Sequence, residues 1–170
     1  VFTQGFSDFF GNFGGGGSTL GLVIMMSFMA KSERMRTLGK LSLPAGIFGI
    51  NEPIIFGLPI VLNPIMLIPF LLCPILNIVI AMIATNVGFI PITSGMQLPW
   101  TTPILFSGFL ITGSVNAVIL QFLMLLMNMA VYYPFFRILD KQFLAEENSK
   151  IEEKDEIDEL SFDDLDIDDL

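Results

Sequence analysis

The chain has 170 residues, of which 53% are hydrophobic and only 15% are charged, and its formal net charge is −9. Because an ordinary soluble domain carries about 25% charged residues, this composition is typical of a membrane protein. Most of the negative charge lies after residue 140, and the sequence has no basic patch with interleaved aromatic residues, which excludes a typical nucleic-acid-binding protein.

The first predicted helix follows a glycine-rich stretch, "GGGGST" at Gly14–Thr19. This stretch loosely resembles a phosphate-binding loop, but Gly17 occupies the lysine position and no strand precedes it, so a hinge is favoured. A helix is expected to begin with Ser18 or Thr19 as its N-cap, and its N–H groups could serve a polar substrate. The apolar run Leu20–Ala30 is too short to span a membrane, which takes about 20 residues.

A basic cluster follows, "KSERMRTLGK" at residues 31–40, and the positive-inside rule places this predicted loop in the cytoplasm. Pro44 to Leu58 is apolar but interrupted by glycines and Pro53, which favours a re-entrant hairpin over a continuous span. Ile60–Ala84 is long enough to cross the membrane, and its three prolines, spaced five residues apart, predict a kinked span packed on other helices.

The second half is predicted to repeat this arrangement. Thr85–Gly113 contains several prolines and glycines, which predict a second re-entrant hairpin, and Val115–Phe136 is the second full span. Two crossings would return the chain to the side of the basic cluster, where Arg137 and Lys141 follow. The fold class is therefore all-α integral membrane, with full transmembrane helices, two re-entrant hairpins and a disordered acidic tail.

The acidic tail is predicted to begin at about Ala145. Its high charge and low aromatic content predict a disordered cytoplasmic segment, with a short interaction helix as the alternative. The predicted units are residues 1–144, the membrane part, and residues 145–170, the tail. The first residues have no initiating Met, basic region or cleavage site, so we expect no signal peptide and a chain that begins inside something larger.

Glu52, in "GINEPIIFGLP", is the only ionisable acidic or basic residue between Leu41 and Phe136. A carboxylate at membrane depth costs about 2.5–3.5 kcal/mol on insertion scales, so a functional role is the sharper hypothesis and a wetted, incidental hairpin tip the plainer one. Asn51 adds an amide and Pro53 stops helix continuation. This combination could bind sugar hydroxyls or a coupling proton.

Two kinds of aromatic residue are also candidates. Trp100, in "QLPWTTP", is either an interfacial residue or a platform on which a sugar stacks. Tyr132 and Tyr133, beside the basic end of the last span, are predicted to be interface anchors. Cys73, with no second cysteine and no histidine in the chain, is predicted to be a small apolar core residue, with no disulfide and no metal site.

At "GINEPIIFGLPIVLNPIMLIPF" and "PWTTP" the sequence resembles the membrane component (IIC) of the bacterial phosphoenolpyruvate-dependent sugar phosphotransferase system, in the lactose/cellobiose family. The resemblance runs from about Gly11 to Asp140. It implies a dimeric protein of about ten spans that binds a disaccharide midway through the membrane. Because the family's upstream histidine is missing, we expect a C-terminal fragment in which transport does not occur autonomously.

The resemblance also implies roles and partners. The sugar's 6-hydroxyl would take a phosphoryl group from a phosphocysteine on the cytoplasmic IIB protein, which IIA recharges, with no cofactor or metal in this chain. Glu52 would hydrogen-bond the sugar near that hydroxyl, Asn51 would support it, and Trp100 would contact the sugar. Two alternatives remain: a proton-coupled secondary transporter without phosphorylation, and a non-catalytic truncated product that assembles with a full-length permease.

Overall fold

The computed structural model describes residues 6–12, 14–92, 98–99 and 101–163, and every regular element within these ranges is helical. After a π-helical turn at Ser7–Gly11, the main helices are α1 (Leu20–Met29), α2 (Glu33–Ile47), α3 (Glu52–Gly57), α4 (Pro64–Asn86), α5 (Phe106–Thr112) and α6 (Val115–Asp163), with a 3₁₀ turn at Ile60–Leu62. The predicted all-helical class is confirmed.

Helix α1 is the buried centre of the fold. Its N-cap is Thr19, as predicted, and it packs against α2 and α6. Its residues Leu22, Met25 and Met26 are almost completely buried. A ten-residue apolar helix that cannot span a membrane is thus stabilised by the helices around it, because propensity alone does not sustain so short a helix.

Two helices in the described part of the chain, α4 and α6, are long and apolar enough to cross a membrane. Both were predicted as full spans. Pro69 and Pro74 lie inside α4, whose Asn63 side chain accepts a hydrogen bond from the N–H of Ile65 and so caps the helix start. α4 and α6 pack against each other, with Ala81 and Ala117 in one shared core cluster.

The basic segment at residues 31–40 was expected to be a loop, and this is wrong. Most of it forms the start of α2, which begins at Glu33 with Ser32 as the N-cap and runs through Pro44 to Ile47. Apolar and small residues at Met35, Gly39, Ser42 and Gly46 give α2 a buried face against α1, so packing stabilises the helix despite its charges.

In the first predicted hairpin, a short non-helical segment separates two helices. α2 ends at Ile47, α3 begins at Glu52, and between them Gly49 takes a positive φ of 78°. The second predicted hairpin falls partly on residues 93–97 and 100, which lie outside the described residues; α5 occupies its end. Whether either segment enters and leaves the membrane on the same side stays a prediction.

The acidic tail is helical rather than disordered as far as Asp163. α6 continues without interruption through Ala145, so the predicted unit boundary falls inside one helix. The physical reason is that the membrane helix supplies the costly nucleus, and Glu, Lys and Ile residues then extend it at little cost. The alternative for this region was a short interaction helix, and its helical part agrees with the structure as far as Asp163.

Candidate functional site

The glycine segment, residues 14–18, makes tight backbone turns between the π-helical turn and α1. Gly15 and Gly17 have φ angles of 94° and 79°, which favour glycine. A Cβ on Gly15 would lie 2.5 Å from Cγ of Asn51, and one on Gly17 would overlap the ring of Phe70. Gly14, Gly15 and Gly17 are therefore favoured by close packing as well as by backbone conformation, whereas a Cβ on Gly16 would make only an ordinary contact.

Polar side chains from separate helices hold this segment by its carbonyl groups. The Asn51 Nδ2 donates to the Gly16 carbonyl at 2.6 Å, and the buried Tyr132 hydroxyl donates to the Gly17 carbonyl at 2.7 Å. Tyr132 was predicted to be an interface anchor, and this is wrong because its side chain is completely buried. An unpaired carbonyl in an apolar core is costly, so these two contacts fix the segment's path.

Two buried amides extend the same network. On α4, Asn77 Nδ2 donates to the Ser18 hydroxyl at 2.8 Å and to the Gly11 carbonyl at 3.3 Å. On α6, Gln121 Nε2 donates to the Phe9 carbonyl at 3.0 Å. The π-helical turn and the glycine segment are thus bonded to both long helices.

Gln121 also organises α5. Its Oε1 accepts hydrogen bonds from the N–H groups of Leu105 at 3.1 Å and Gly108 at 3.2 Å, and its Nε2 donates to the Ser107 hydroxyl at 3.1 Å. One buried side chain thus makes all three of these hydrogen bonds. Because an unsatisfied buried amide is costly, Gln121 couples the position of α5 to that of the π-helical turn.

Beside the glycine segment lies a cleft of about 110 Å³. A volume several times that of one water molecule, about 30 Å³, is large enough for part of a polar ligand. The cleft combines a carboxylate, an amide and two hydroxyls with exposed backbone and an apolar wall. Its lining residues are Asp8, Phe9, Asn12, Gly14, Gly15, Gly49, Thr102, Ile104 and Ser107.

Glu52 does not line this cleft; it follows the lining residue Gly49 by three positions in the chain. It is the first residue of α3, its side chain is exposed, and Asn51 precedes it as the N-cap residue. The part of the chain that the structure describes provides no hydrogen bond or ion pair to the Glu52 carboxylate. The carboxylate is therefore available to a ligand, while Asn51 is 8% exposed and is occupied by Gly16.

Trp100 lies outside the described residues. Thr102, two residues later in the sequence, donates both its N–H and its hydroxyl to the Pro99 carbonyl, at 2.9 and 2.6 Å. Thr102 lines the cleft. The structure thus describes two of the three predicted site residues: Asn51 contacts the glycine segment, and Glu52 is exposed one residue later.

Sequence reasoning missed four residues of this site: Asp8, Asn77, Gln121 and Tyr132. A signal existed for the amides, because Asn77 and Gln121 are polar side chains within long apolar runs, where each requires a partner. Asp8 is the only acidic residue before Glu33, but it lies among phenylalanines with no recognisable motif. No group of three or more His, Cys, Asp or Glu residues in the described ranges is placed to hold a metal ion.

Chemically, this arrangement suits a neutral ligand with many hydroxyl groups. Carboxylate and amide oxygens accept hydrogen bonds from hydroxyls, while amide and hydroxyl groups donate to them. Phe9 and Ile104 supply apolar surface for the C–H faces of such a ligand. A pocket with apolar walls and a few placed polar groups is the usual form of a small-molecule site.

Comparison with known proteins gives a consistent result. The family described as "Phosphotransferase system, EIIC" matches residues 1–74. The chain is 46% identical over 149 residues to the lichenan permease IIC component of Bacillus subtilis strain 168, which covers 87% of this chain and 33% of that protein. It is 48% identical over 150 residues to the cellobiose-specific EIIC component of Geobacillus stearothermophilus, covering 88% and 33%.

A solved structure also matches. The transporter ChbC, the IIC component of the N,N'-diacetylchitobiose-specific phosphotransferase system, superimposes with a TM-score of 0.84 and 44% sequence identity. The match covers 86% of this chain and 34% of that one. The chain therefore spans about a third of the length of the relatives it matches.

Proposed function

Because this chain belongs to the EIIC family of the phosphotransferase system, we propose that it supplies the sugar-binding part of a disaccharide permease. The permease carries a disaccharide of the cellobiose or lactose type across the cell membrane, and phospho-IIB phosphorylates the sugar's 6-hydroxyl. The observation that carries this proposal is the polar cleft beside the Asn51–Glu52 turn, in a chain 48% identical to a cellobiose-specific component.

In this proposal, Glu52 binds the sugar directly. Its carboxylate accepts a hydrogen bond from the sugar near the 6-hydroxyl and assists removal of that hydroxyl's proton. The exposed side chain, unpaired within the described structure, supports this role. Trp100 contacts a sugar face, and Asn51 supports Glu52 by fixing the turn to Gly16 more than by touching the sugar.

Asp8 extends the same proposal into the cleft. Its side chain is half-buried and lines the cleft with Asn12 and Thr102. A carboxylate in this position accepts hydrogen bonds from sugar hydroxyls that do not react. Glu52 and Asp8 then contact different parts of one disaccharide, which gives the site one reactive region and one recognition region.

The phosphoryl donor is a phosphocysteine on a separate IIB protein, which IIA recharges. The membrane chain positions the sugar for in-line displacement and needs no metal or nucleotide of its own. The further partners are the lipid bilayer and a second subunit in the full-length permease, which is a homodimer. The protein is multi-pass in the bacterial cell membrane, with residues 145–170 in the cytoplasm.

Two competing functions are kept for the test. A proton-coupled transporter would use Glu52 without phosphorylation, and the relatives' names do not favour it. A non-catalytic role in assembly with a full-length permease is compatible with a chain that spans about a third of its relatives. The test must therefore separate sugar phosphorylation, sugar accumulation and the absence of both.

The deciding experiment introduces Glu52→Gln into the chromosomal gene, so that the protein is made as the cell makes it. Phosphoenolpyruvate-dependent phosphorylation of cellobiose and lactose is measured in membranes with IIA and IIB, beside the wild type. If Glu52 assists proton removal, phosphorylation falls by about 100-fold or more while the amount of membrane protein is unchanged.

Glu153→Gln is the matched control, because it removes an exposed carboxylate far from the cleft. Near wild-type phosphorylation in Glu52→Gln would return Glu52 to an incidental role. Accumulation of unphosphorylated sugar by the wild type would support the proton-coupled alternative. Neither activity in the wild type would leave the assembly role.

A further inference from the structure

The start of α2 is bound by a buried carboxylate from the distant part of α6. Asp140 is 3% exposed, and its Oδ1 accepts hydrogen bonds from the N–H groups of Lys31 and Ser32, each at 3.0 Å. Its Oδ2 lies 3.2 Å from the same Lys31 nitrogen. These donors immediately precede a helix that begins at Glu33, so Asp140 binds the chain where it enters α2.

Glu147 binds the next residues in the same way. Its Oε1 accepts from the Ser32 hydroxyl at 2.7 Å and the Arg34 N–H at 2.9 Å, and its Oε2 accepts from the Glu33 N–H at 3.2 Å. Desolvation by itself would raise the pKa of Glu147, but these hydrogen bonds and the Arg34 charge outweigh it and lower the pKa. The ionised form is thus the bound form.

Asp140 and Glu147 therefore act together as an N-terminal clamp on α2. Seven residues apart on one helix, they lie two turns from each other on the same face. The first N–H groups of a helix have no partner within it, and negative charge there is favourable. Arg34 adds a further contact, with its guanidinium 4.5 Å from the centre of the Phe143 ring.

The other end of α2 leads directly into the candidate site. The Ile47 carbonyl accepts from the N–H of Ile104, which lines the cleft, at 3.4 Å. The N–H groups of Gly49 and Ile50 donate back to carbonyls in the last turn of α2, at 3.1 and 3.0 Å. Asn51 follows. α2 has 15 residues and is roughly 22 Å long, so the clamp and this turn lie at opposite ends of one helix.

We infer that Asp140 and Glu147 are positioning residues for the sugar site, because they fix α2 on α6 and thereby place the turn that carries Asn51 and Glu52. This inference rests on the proposed function for its effect on sugar. Its mechanical part, the coupling of the clamp to residues 48–51, does not depend on which ligand the site binds.

The test uses Glu147→Gln and Asp140→Asn in the chromosomal gene, with Glu153→Gln as the control on the same helix. Hydrogen–deuterium exchange of segment 48–51 is measured in membranes, without sugar. We expect exchange there to rise about tenfold in both clamp variants, which corresponds to about 1.4 kcal/mol, with the control unchanged. Faster exchange confined to residues 31–35 would show an ordinary helix cap and overturn the inference.

A second measurement connects the clamp to function. Cellobiose affinity and the KM and kcat of phosphorylation are determined for the same variants. We expect weaker sugar affinity and higher KM at unchanged membrane protein levels. In the double variant Ser32→Cys, Glu147→Cys, a short thiol cross-linker should restore the sugar affinity and the KM, because it holds α2 on α6 again. The buried Cys73 does not compete for the reagent.

The outcomes separate the two proposals. Faster exchange at 48–51 in a protein whose wild type binds no sugar would keep the clamp and refute the proposed function. Unchanged exchange and unchanged affinity in folded clamp variants, with an active wild type, would refute the clamp and keep the function. If the cross-link does not restore sugar affinity, the clamp does not act by fixing the position of α2 on α6.

Discussion

The two ends of α2 are held by different chemistry. Just beyond its C-terminal end the contacts are neutral: Asn51 donates to the Gly16 carbonyl, and the next carbonyl, of Gly17, accepts from the buried Tyr132 hydroxyl of α6. At its N-terminal end the acceptors are carboxylates: Asp140 and Glu147 accept hydrogen bonds from backbone N–H groups. The difference lies in how each end is satisfied. A neutral amide satisfies a buried carbonyl with one hydrogen bond, whereas a buried carboxylate such as Asp140 requires several donors, which the free N–H groups at a helix start supply.

This comparison predicts that tight packing matters most at the buried end. Gly17→Ala forces a Cβ into the Phe70 ring at a positive φ, and we expect a loss of about 2–5 kcal/mol, the sum of backbone strain and overpacking. Thermal unfolding in detergent measures it. Gly88→Ala is the matched control, because Gly88 also has a φ of 79° but no atom near its Cβ.

The difference between these two variants isolates the packing contribution. If both lose the same stability, the glycine segment is held by backbone conformation alone, and the close contact with Phe70 is unimportant.

The second-largest effect is expected in the cleft, on sugar affinity. Asp8→Asn keeps the size of the side chain and removes its charge, so we expect cellobiose affinity to fall about tenfold to 100-fold, as for a lost hydrogen bond to a charged group. Isothermal titration of the purified protein measures the change. Unaltered affinity would remove Asp8 from the sugar site and leave Glu52 without a second acidic contact.

A smaller effect is expected where one neutral hydrogen bond is lost. Tyr132→Phe leaves the Gly17 carbonyl without its donor, and we expect a loss of about 1–2 kcal/mol in unfolding experiments. Tyr133→Phe, in which the neighbouring, 40% exposed side chain loses the same hydroxyl, should change stability by less than about 0.5 kcal/mol. Equal effects would contradict the contrast between a buried and an exposed hydroxyl.

The smallest effect is expected at the N-terminal end of α2, where carboxylates accept hydrogen bonds, and it depends on pH. Because the folded-state pKa of Glu147 is lowered, its stabilisation is present above the unfolded-state value and is lost as the pH falls through the lowered pKa. Protection of the Glu33 and Arg34 amides, corrected for intrinsic exchange, should therefore decrease below the usual glutamate range. In Glu147→Gln this dependence should disappear; its persistence would assign it to another group.

Much of the helical framework could be predicted from the sequence. α4 and the first part of α6 follow from long apolar runs, and the start of α1 follows from Thr19 after glycines. The basic segment was misjudged because its charges obscure a buried face that depends on α1. The tail was misjudged because composition does not reveal that α6 nucleates it.

The site was predictable only in part. Glu52 stands out as a lone carboxylate in an apolar sequence, and its neighbour Asn51 was found with it. Their division of roles was not predictable, since it depends on Gly16, 35 residues away, lying within reach of Asn51. Asp8 and Gln121 likewise become meaningful only when distant segments meet, which a single sequence does not record.

The continuity of α6 imposes an angular constraint on the molecule. At about 100° per residue, Gln121 and Tyr132 point within about 20° of each other, and so do Asp140 and Glu147, but the two pairs are separated by about 80°. The helix thus fixes the phase between the network that shapes the cleft and the carboxylates that hold α2. An inserted residue between positions 133 and 139 would rotate one pair out of alignment, whereas seven inserted residues would nearly restore the angle while moving the clamp outward along the axis.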